Sequence, residues 1–253
     1  MRDISSGRAL VTGASSGIGA AIVRRLRADG RPVTALARRR ERLDALREET
    51  GCDVVALDLR DADGIDAAVR EIAPLVVINN AGSGQGYDGL EGTSGEDIAT
   101  AVATNVVAPL RLLRAALPLM RERGGHVVNI GSIAGLYPIN NALYAATKGA
   151  VHSMSQNLRV ELSGSGVRVT EIAPGRTESE FYDAAGLSPE KAERFKKLAI
   201  TVLAPDDVAE AVVWALAQPP HVNVSLIELV PTEQALGGAI VAPFEDAGEG
   251  TGA

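Results

Sequence analysis

Residues 10–26 read LVTGASSGIGAAIVRRL. The stretch opens on a short apolar run, breaks at Gly13, Gly17 and Gly19, and closes on a segment whose apolar residues fall on one helical stripe. That order predicts a strand, a tight turn and a helix. Glycines at such a turn let the backbone bend sharply and approach a ligand closely, while the free amides at the helix start attract anionic oxygens. Alone, a glycine cluster is only a turn. Directly between a first strand and an amphipathic helix, it predicts a pyrophosphate cradle formed by Thr12, Gly13, Ser15, Ser16, Gly17, Ile18 and Gly19.

The same alternation repeats outward from this stretch. RALVTG (8–13), PVTALAR (32–38), DVVALD (53–58), LVVINNAG (75–82), HVVNIGS (126–132), VRVTEIAP (167–174) and SLIELVP (225–231) read as seven strands. Helices are expected between them near 17–29, 40–49, 62–72, 96–121, 142–163 and 205–217. Right-handed crossovers then give an α/β fold: a single Rossmann-type domain over 1–237, with a doubly wound seven-stranded parallel sheet and helices on both faces. Segment 175–204 follows a strand, holds none of its own and contains a polar amphipathic stretch, which suits a lid over a crevice or a plain surface helix. Residues 238–253 are Gly- and acid-rich, and are expected to be flexible or to cross to a neighbouring subunit.

The bulk numbers exclude several function classes. With 253 residues, 46% of them hydrophobic, the chain can bury a sizeable core. A net charge of -7 argues against nucleic-acid or anionic-membrane partners. Cys52 is the only cysteine and the N-terminus lacks the apolar core of a signal peptide, so a cytoplasmic setting is expected. No apolar run approaches the roughly 20 residues of a membrane span. His126, His152 and His221 are far apart and no Cys/His ligand spacing occurs, so no metal is expected.

The second strand ends TALARRRERL (34–43). An acid in that position bonds the adenine ribose of NAD, but here Ala37 stands there, with Arg38 and Arg39 following. A guanidinium grips a phosphate dianion that an acid would repel, so NADP(H) is the expected cofactor. Arg40 reads as part of the solvated first turn of the next helix. Farther on, NALYAATKGA (141–150) sets Tyr144 and Lys148 one helical turn apart. A free tyrosine titrates near pH 10, and a cation close by favours its ionised form, as acid–base catalysis requires.

The motifs Thr12-Gly-x-x-x-Gly-x-Gly19, NNAG at 79–82, Asn105, Ser132, Tyr144-x-x-x-Lys148 and PG at 174–175 occur in this order. Over residues 7–236 the chain thereby resembles the short-chain dehydrogenase/reductase family. The resemblance implies hydride transfer between a nicotinamide and an alcohol or carbonyl. In it Tyr144 exchanges the proton, Lys148 also bonds the nicotinamide ribose, Ser132 donates to the substrate oxygen, and Asn105 holds a water linking Lys148 to solvent. Asn80, Ala81 and Gly82 would line the cofactor, with Asn79 a structural tie. Asp58 and Leu59 would meet the adenine, and Pro174, Gly175, Thr177 and Ser179 the carboxamide end, although the family favours Thr at position 179.

Substrate is expected between Ala134–Asn141, Gly84–Tyr87 and the loop after Gly175, facing Ser132, Asn141 and Arg176. Arg176 is the cation placed to meet a substrate carboxylate, unless it is an exposed loop arginine; Asn141 either touches substrate or caps its helix. Within the family the C-terminal half is similar to the NADP-dependent serine 3-dehydrogenase and 3-hydroxy acid dehydrogenase group, which implies a 3-hydroxy acid or semialdehyde substrate. Carbonyl reductases of secondary-metabolite pathways are an alternative. A sensor that keeps the dinucleotide pocket without turnover is another, although sensors usually lose the Tyr or the Lys. The helices near 96–121 and 142–163 carry more apolar and small residues than one sheet face can cover, and in the family they pair between subunits. A homotetramer or homodimer is therefore expected.

Overall fold

The computed structural model describes residues 4, 6–87, 89–178, 180 and 200–235. β1 (Ala9–Thr12) runs into α1 (Gly17–Ala28), β2 (Val33–Ala37) into α2 (Arg40–Thr50), and β3 (Asp53–Ala56) into α3 (Ala62–Ile72). β4 (Val76–Asn79) leads to one long helix made of α4 (Gly95–Val102), a π-helical turn (Ala103–Val107) and α5 (Ala108–Arg123). β5 (Gly125–Ile130) passes through a 3₁₀ turn (Ile133–Gly135) into α6 (Ala142–Glu161). β6 (Val167–Pro174), α7 (Pro205–Ala217) and β7 (Leu226–Leu229) follow.

All seven strands are parallel, in the order β3-β2-β1-β4-β5-β6-β7. Central strands of such a sheet are covered on both faces, which is why β1, β2, β4 and β5 are buried along their whole length and read as continuous apolar runs. One face packs under α1, α2 and α7 through Ile22, Leu26, Leu43, Leu46, Val212 and Leu216. The other packs under α3, α5 and α6 through Ile65, Val69, Leu112, Leu113 and Leu158. Each such side chain contributes about 1.5–3 kcal/mol on burial. Val11 pairs with Ala35 on one side and Ile78 on the other, so the chain reverses its winding at β1 and a crevice opens beyond the carboxyl ends of β1 and β4.

Several expectations shift in detail. β3 ends at Ala56 and β5 at Ile130, so Asp58 and Ser132 lie in the turns beyond their strands. The long helix spans 29 residues, Gly95–Arg123, with a mean hydropathy of 1.2 in its most apolar window. By length and apolarity alone it could cross a membrane, against the reading that no segment approaches a span. Its Leu112, Leu113, Ala116 and Met120 lie in the core of the sheet face. Residues 181–199 of the expected lid, Ser179 and the tail 238–253 lie outside the described residues.

Candidate active site

The crevice at the β1/β4 switch point has a volume of about 790 Å³. The glycine turn forms one wall. Gly13 has φ +65°, and a Cβ there would stand 2.8 Å from Ala81 Cα; a Cβ at Gly19 would stand 2.5 Å from the Gly13 carbonyl oxygen. The turn therefore lies flush against the end of β4. Ser16 caps α1 in extended conformation without a side-chain cap bond, and the first turn holds no acid. Its amides are left for an anion, and Ser15, Ser16, Gly17 and Ile18 line the crevice beside them. A dinucleotide pyrophosphate fits this cradle.

Two expected contacts stand behind this wall. Thr12 is buried at 1% exposure; its hydroxyl accepts from the Asn80 and Ala81 amides, both at 3.0 Å, and donates to the Ile78 carbonyl at 3.3 Å. Gly19 packs under Gly13 and Asn80. Both shape the cradle from beneath. Asn80 Nδ2 donates to the Thr12 carbonyl at 2.9 Å, and Asn80, Ala81 and Gly82 line the crevice. Asn79 ties the sheet as expected, donating to Asn129 Oδ1 at 2.8 Å.

At the end of β2, Arg38 and Arg39 both reach the crevice, along with Asp58 and Leu59. Arg39 donates to Ser15 Oγ at 3.0 Å and Ser16 Oγ at 2.6 Å, which sets its guanidinium at the phosphate turn. Arg39 and Arg42 both bond Glu180, at 3.0 and 2.7 Å. Sequence reading missed that acid, because only the folded chain brings position 180 to helix α2. Arg40 pairs with Asp44 within α2, in keeping with a solvated first turn. The Asp58 carboxylate is occupied: the Arg60 guanidinium and amide bond it, and Arg60, with Arg38 adding, holds it below the usual carboxylate range.

On the opposite wall, α6 presents Tyr144 and Lys148 one turn apart, the Lys148 Nζ 5.8 Å from the Tyr144 ring centre. Lys148 is buried and donates to the Ile130 carbonyl at 2.9 Å. Burial pulls its ammonium from 10.5 down to about 8, while Glu171 acts in the opposite sense. Asn105 lies in the π-helical turn, 2% exposed and behind the crevice wall. Its amide donates to the Ser83 carbonyl (2.9 Å) and Thr147 Oγ1 (3.0 Å), and accepts from the Ser83 amide (2.8 Å). The side chain is therefore committed to tying the long helix to the loop after β4 and to α6. The helix irregularity and the functional candidate are one feature, as is common for π turns. Ser132 Oγ accepts from the Ala134 amide at 3.1 Å.

On the substrate side, Asn141 caps α6: its Oδ1 accepts from the Tyr144 amide at 3.0 Å, and its Nδ2 donates to the Gln85 carbonyl at 3.2 Å. The cap reading prevails, although Asn141 also lines the crevice. Arg176 lines it as well, and its Nε is buried without a hydrogen-bond partner among the described residues. Pro174, Gly175 and Thr177 flank it. Gln234 was missed: its Oε1 accepts from the Arg176 amide at 2.8 Å and fills the space a Cβ on Gly175 would need.

A glycine-turned dinucleotide cradle facing a tyrosine–lysine pair across the switch point of a doubly wound sheet defines a nicotinamide-dependent oxidoreductase. Residues 8–189 match the short chain dehydrogenase family, and the chain belongs to it. It is 38% identical over 242 residues to the NADP-dependent 3-hydroxy acid dehydrogenase of Salmonella typhi, covering 92% of this chain and 98% of that protein. Sulfoacetaldehyde reductase of Chromohalobacter salexigens is 37% identical over 237 residues, covering 89% of this chain and 94% of the reductase. The closed form of a serine dehydrogenase complexed with NADP+ superposes with a TM-score of 0.87 at 38% identity, covering 94% of this chain and all of that one.

Proposed function

We propose that Tyr144 and Lys148 are the acid–base pair of this enzyme, and that its substrate is a small secondary alcohol or carbonyl compound bearing an anionic group, such as a 3-hydroxy acid or semialdehyde. The chain is an NADP(H)-dependent oxidoreductase. The observation that carries the reading is Lys148, a fully buried amine beside a tyrosine ring in the crevice at the switch point. The dinucleotide supplies or takes up the hydride when bound. In reduction Tyr144 gives its phenolic proton to the carbonyl oxygen as charge develops there; in oxidation it takes the proton back. The Lys148 cation favours the ionised phenol. Ser132 already accepts one bond, from Ala134, so its single O–H proton is available to the substrate oxygen. Asn105 acts by holding the π turn and the loop at Gly82 in register with Lys148.

Ser15, Ser16, Gly17 and Ile18 hold the pyrophosphate, and Arg38 and Arg39 the ribose phosphate. Asp58 and Leu59 meet the adenine, Asn80, Ala81 and Gly82 the central span, and Pro174, Gly175 and Thr177 the carboxamide end. Ser179, outside the described residues, extends that last group by resemblance alone. Arg176 supports an anionic substrate: a buried Nε without a partner among the described residues is repaid by a carboxylate or sulfonate oxygen. The names of the two curated relatives, one acting on a hydroxy acid and one on a sulfonated aldehyde, support the same substrate class.

The test is NADPH oxidation, followed by absorbance, with anionic and neutral carbonyl substrates for the wild type and Tyr144→Phe. Turnover should favour anionic substrates and vanish in the variant. A variant as fast as the wild type would overturn the mechanism, and equal use of neutral ketones the substrate class. A cytoplasmic homotetramer or homodimer completes the reading. Ile98, Val102, Val107 and Leu110 leave an apolar stripe exposed on the long helix, which a second copy would cover.

A further inference from the structure

Glu171 is a fully buried carboxylate that the mechanism above does not use. It lies on β6 under α6, where its Oε2 is bonded to His152 Nδ1 at 2.8 Å. Its Oε1 is buried and has no hydrogen-bond partner among the described residues. That oxygen lies over Gly131, where a Cβ would collide with it, in the segment between Ile130 and Ser132. Lys148 and His152 are one turn apart on α6, and Lys148 bonds the Ile130 carbonyl in that same segment. The carboxylate is thus enclosed between the turn that carries Ser132 and the helical turn running from Lys148 to His152. A buried carboxylate with one unpartnered oxygen is costly unless a cation faces it.

We propose that Glu171, clasped by His152, is a positioning residue whose negative charge behind Lys148 keeps that side chain an ammonium at neutral pH. The inference rests on Lys148 being the working cation of the site. An acceptor-only carboxylate requires the proton on His152 Nδ1, and the other ring nitrogen meets Gln156 Nε2 at 2.9 Å at the surface. Among the described residues, the groups facing Lys148 are few. Its own helix brings Tyr144 and His152. β6 brings Glu171, whose charge opposes the lowering that burial imposes on Lys148. The π turn and the loop after β4 bring the uncharged Asn105 and Ser83. β7 brings Glu228, on the same sheet face by register and held by the Tyr137 hydroxyl at 3.0 Å.

The experiment titrates the Lys148 amine directly, by NMR of the protein carrying ¹³C at lysine Cε, with Lys148→Met assigning the resonance. Wild type, Glu171→Gln and His152→Leu are compared without cofactor or substrate, so the result does not depend on turnover. The wild-type midpoint should lie near 8. In Glu171→Gln it should fall by about one unit, the effect of losing an opposite charge nearby, and the alkaline fall of kcat/KM should move with it. His152→Leu removes the bond that holds the Glu171 carboxylate in place, so its midpoint should fall in the same direction, and it stands in should Glu171→Gln not fold. A neutral Glu171 or a merely structural one predicts no movement in either variant, and unmoved midpoints overturn the proposal. Loss of activity in Tyr144→Phe with these shifts intact separates it from the catalytic assignment.

Discussion

Replacing Lys148 by methionine should make this enzyme inactive and more stable at neutral pH. The lysine titrates near 10.5 in an unfolded chain and near 8 in the fold, where burial disfavours the ammonium. Below about pH 8 both states carry the proton and the cost of burying it is present in full. Between 8 and 10.5 the unfolded chain holds a proton that the folded chain has released, so this group's contribution to stability rises with pH across that window. Burial lowers the midpoint by 10.5 − 8, about 2.5, which at roughly 1.4 kcal/mol per pH unit is about 3.5 kcal/mol. Methionine has nearly the same length and no charge, but it forfeits the bond to the Ile130 carbonyl, worth about 1 kcal/mol. The net gain at pH 7 is about 2.5 kcal/mol, a rise in Tm of roughly 5–10 °C for a chain of this size. Urea unfolding of both proteins at fixed concentration, from pH 6 to 10.5, reads the difference. It should be largest below pH 8 and shrink above it. If Lys148→Met is no more stable at pH 7, or if the two curves run parallel from 8 to 10.5, the buried-ammonium reasoning fails.

Arg39→Ala should weaken NADP+ binding by roughly 10- to 150-fold while leaving NAD+ affinity nearly unchanged, since a charge-assisted bond to phosphate contributes about 1.5–3 kcal/mol; isothermal titration with both nucleotides checks it. Glu180→Gln should lower the KM for NADPH about two- to fivefold, because the exposed acid competes with phosphate for Arg39 and Arg42 and such pairs are worth under about 1 kcal/mol. An unchanged or higher KM would mean that Glu180 orders these arginines for the cofactor. Asn141→Ala should lower stability by about 1 kcal/mol through loss of the α6 cap, whereas Asn141→Asp, which keeps an acceptor for the Tyr144 amide, should recover most of it. Thermal melts followed by circular dichroism distinguish the two.

Much of the fold was legible because its signals are local. A strand, three glycines and an amphipathic helix are consecutive in residues 10–26, and buried parallel strands advertise themselves as Val/Ile/Leu runs. Tyr144 and Lys148 were legible for the same reason, as a helical repeat of one turn. The roles that shifted depend on distant partners. Thr12 carries a motif position, yet its hydroxyl serves Asn80 and Ala81, residues that reach it only when β4 pairs beside β1. Asn105 is both the break in helical regularity and the tie to Ser83 and Thr147, a duality that only the π turn displays. Asn141 reads equally as cap or contact until Gln85 is seen across from it. Gln234 and Glu180 gave no local signal at all.

The least legible element is the charge balance, and it bears most on how the site works. The chain is acidic overall, yet the crevice gathers Arg38, Arg39, Arg176 and Lys148. Arg38 lies near Asp58, which Arg60 already holds, and two more of these cations have an acid nearby: Glu180 meets Arg39 from the segment after β6, and Glu171 acts on Lys148 from beneath. The two acids differ in exposure, and that sets what an incoming anion can do. Glu180 is about half exposed and its bonds are weakened by solvent, so on the proposed assignment a ribose phosphate displaces it from Arg39. Glu171 is sealed in the core, out of reach of an incoming anion, so on the proposed assignment its influence on Lys148 persists when the cofactor binds. A site that must admit and release an anionic cofactor while keeping one ammonium fixed needs one acid of each kind.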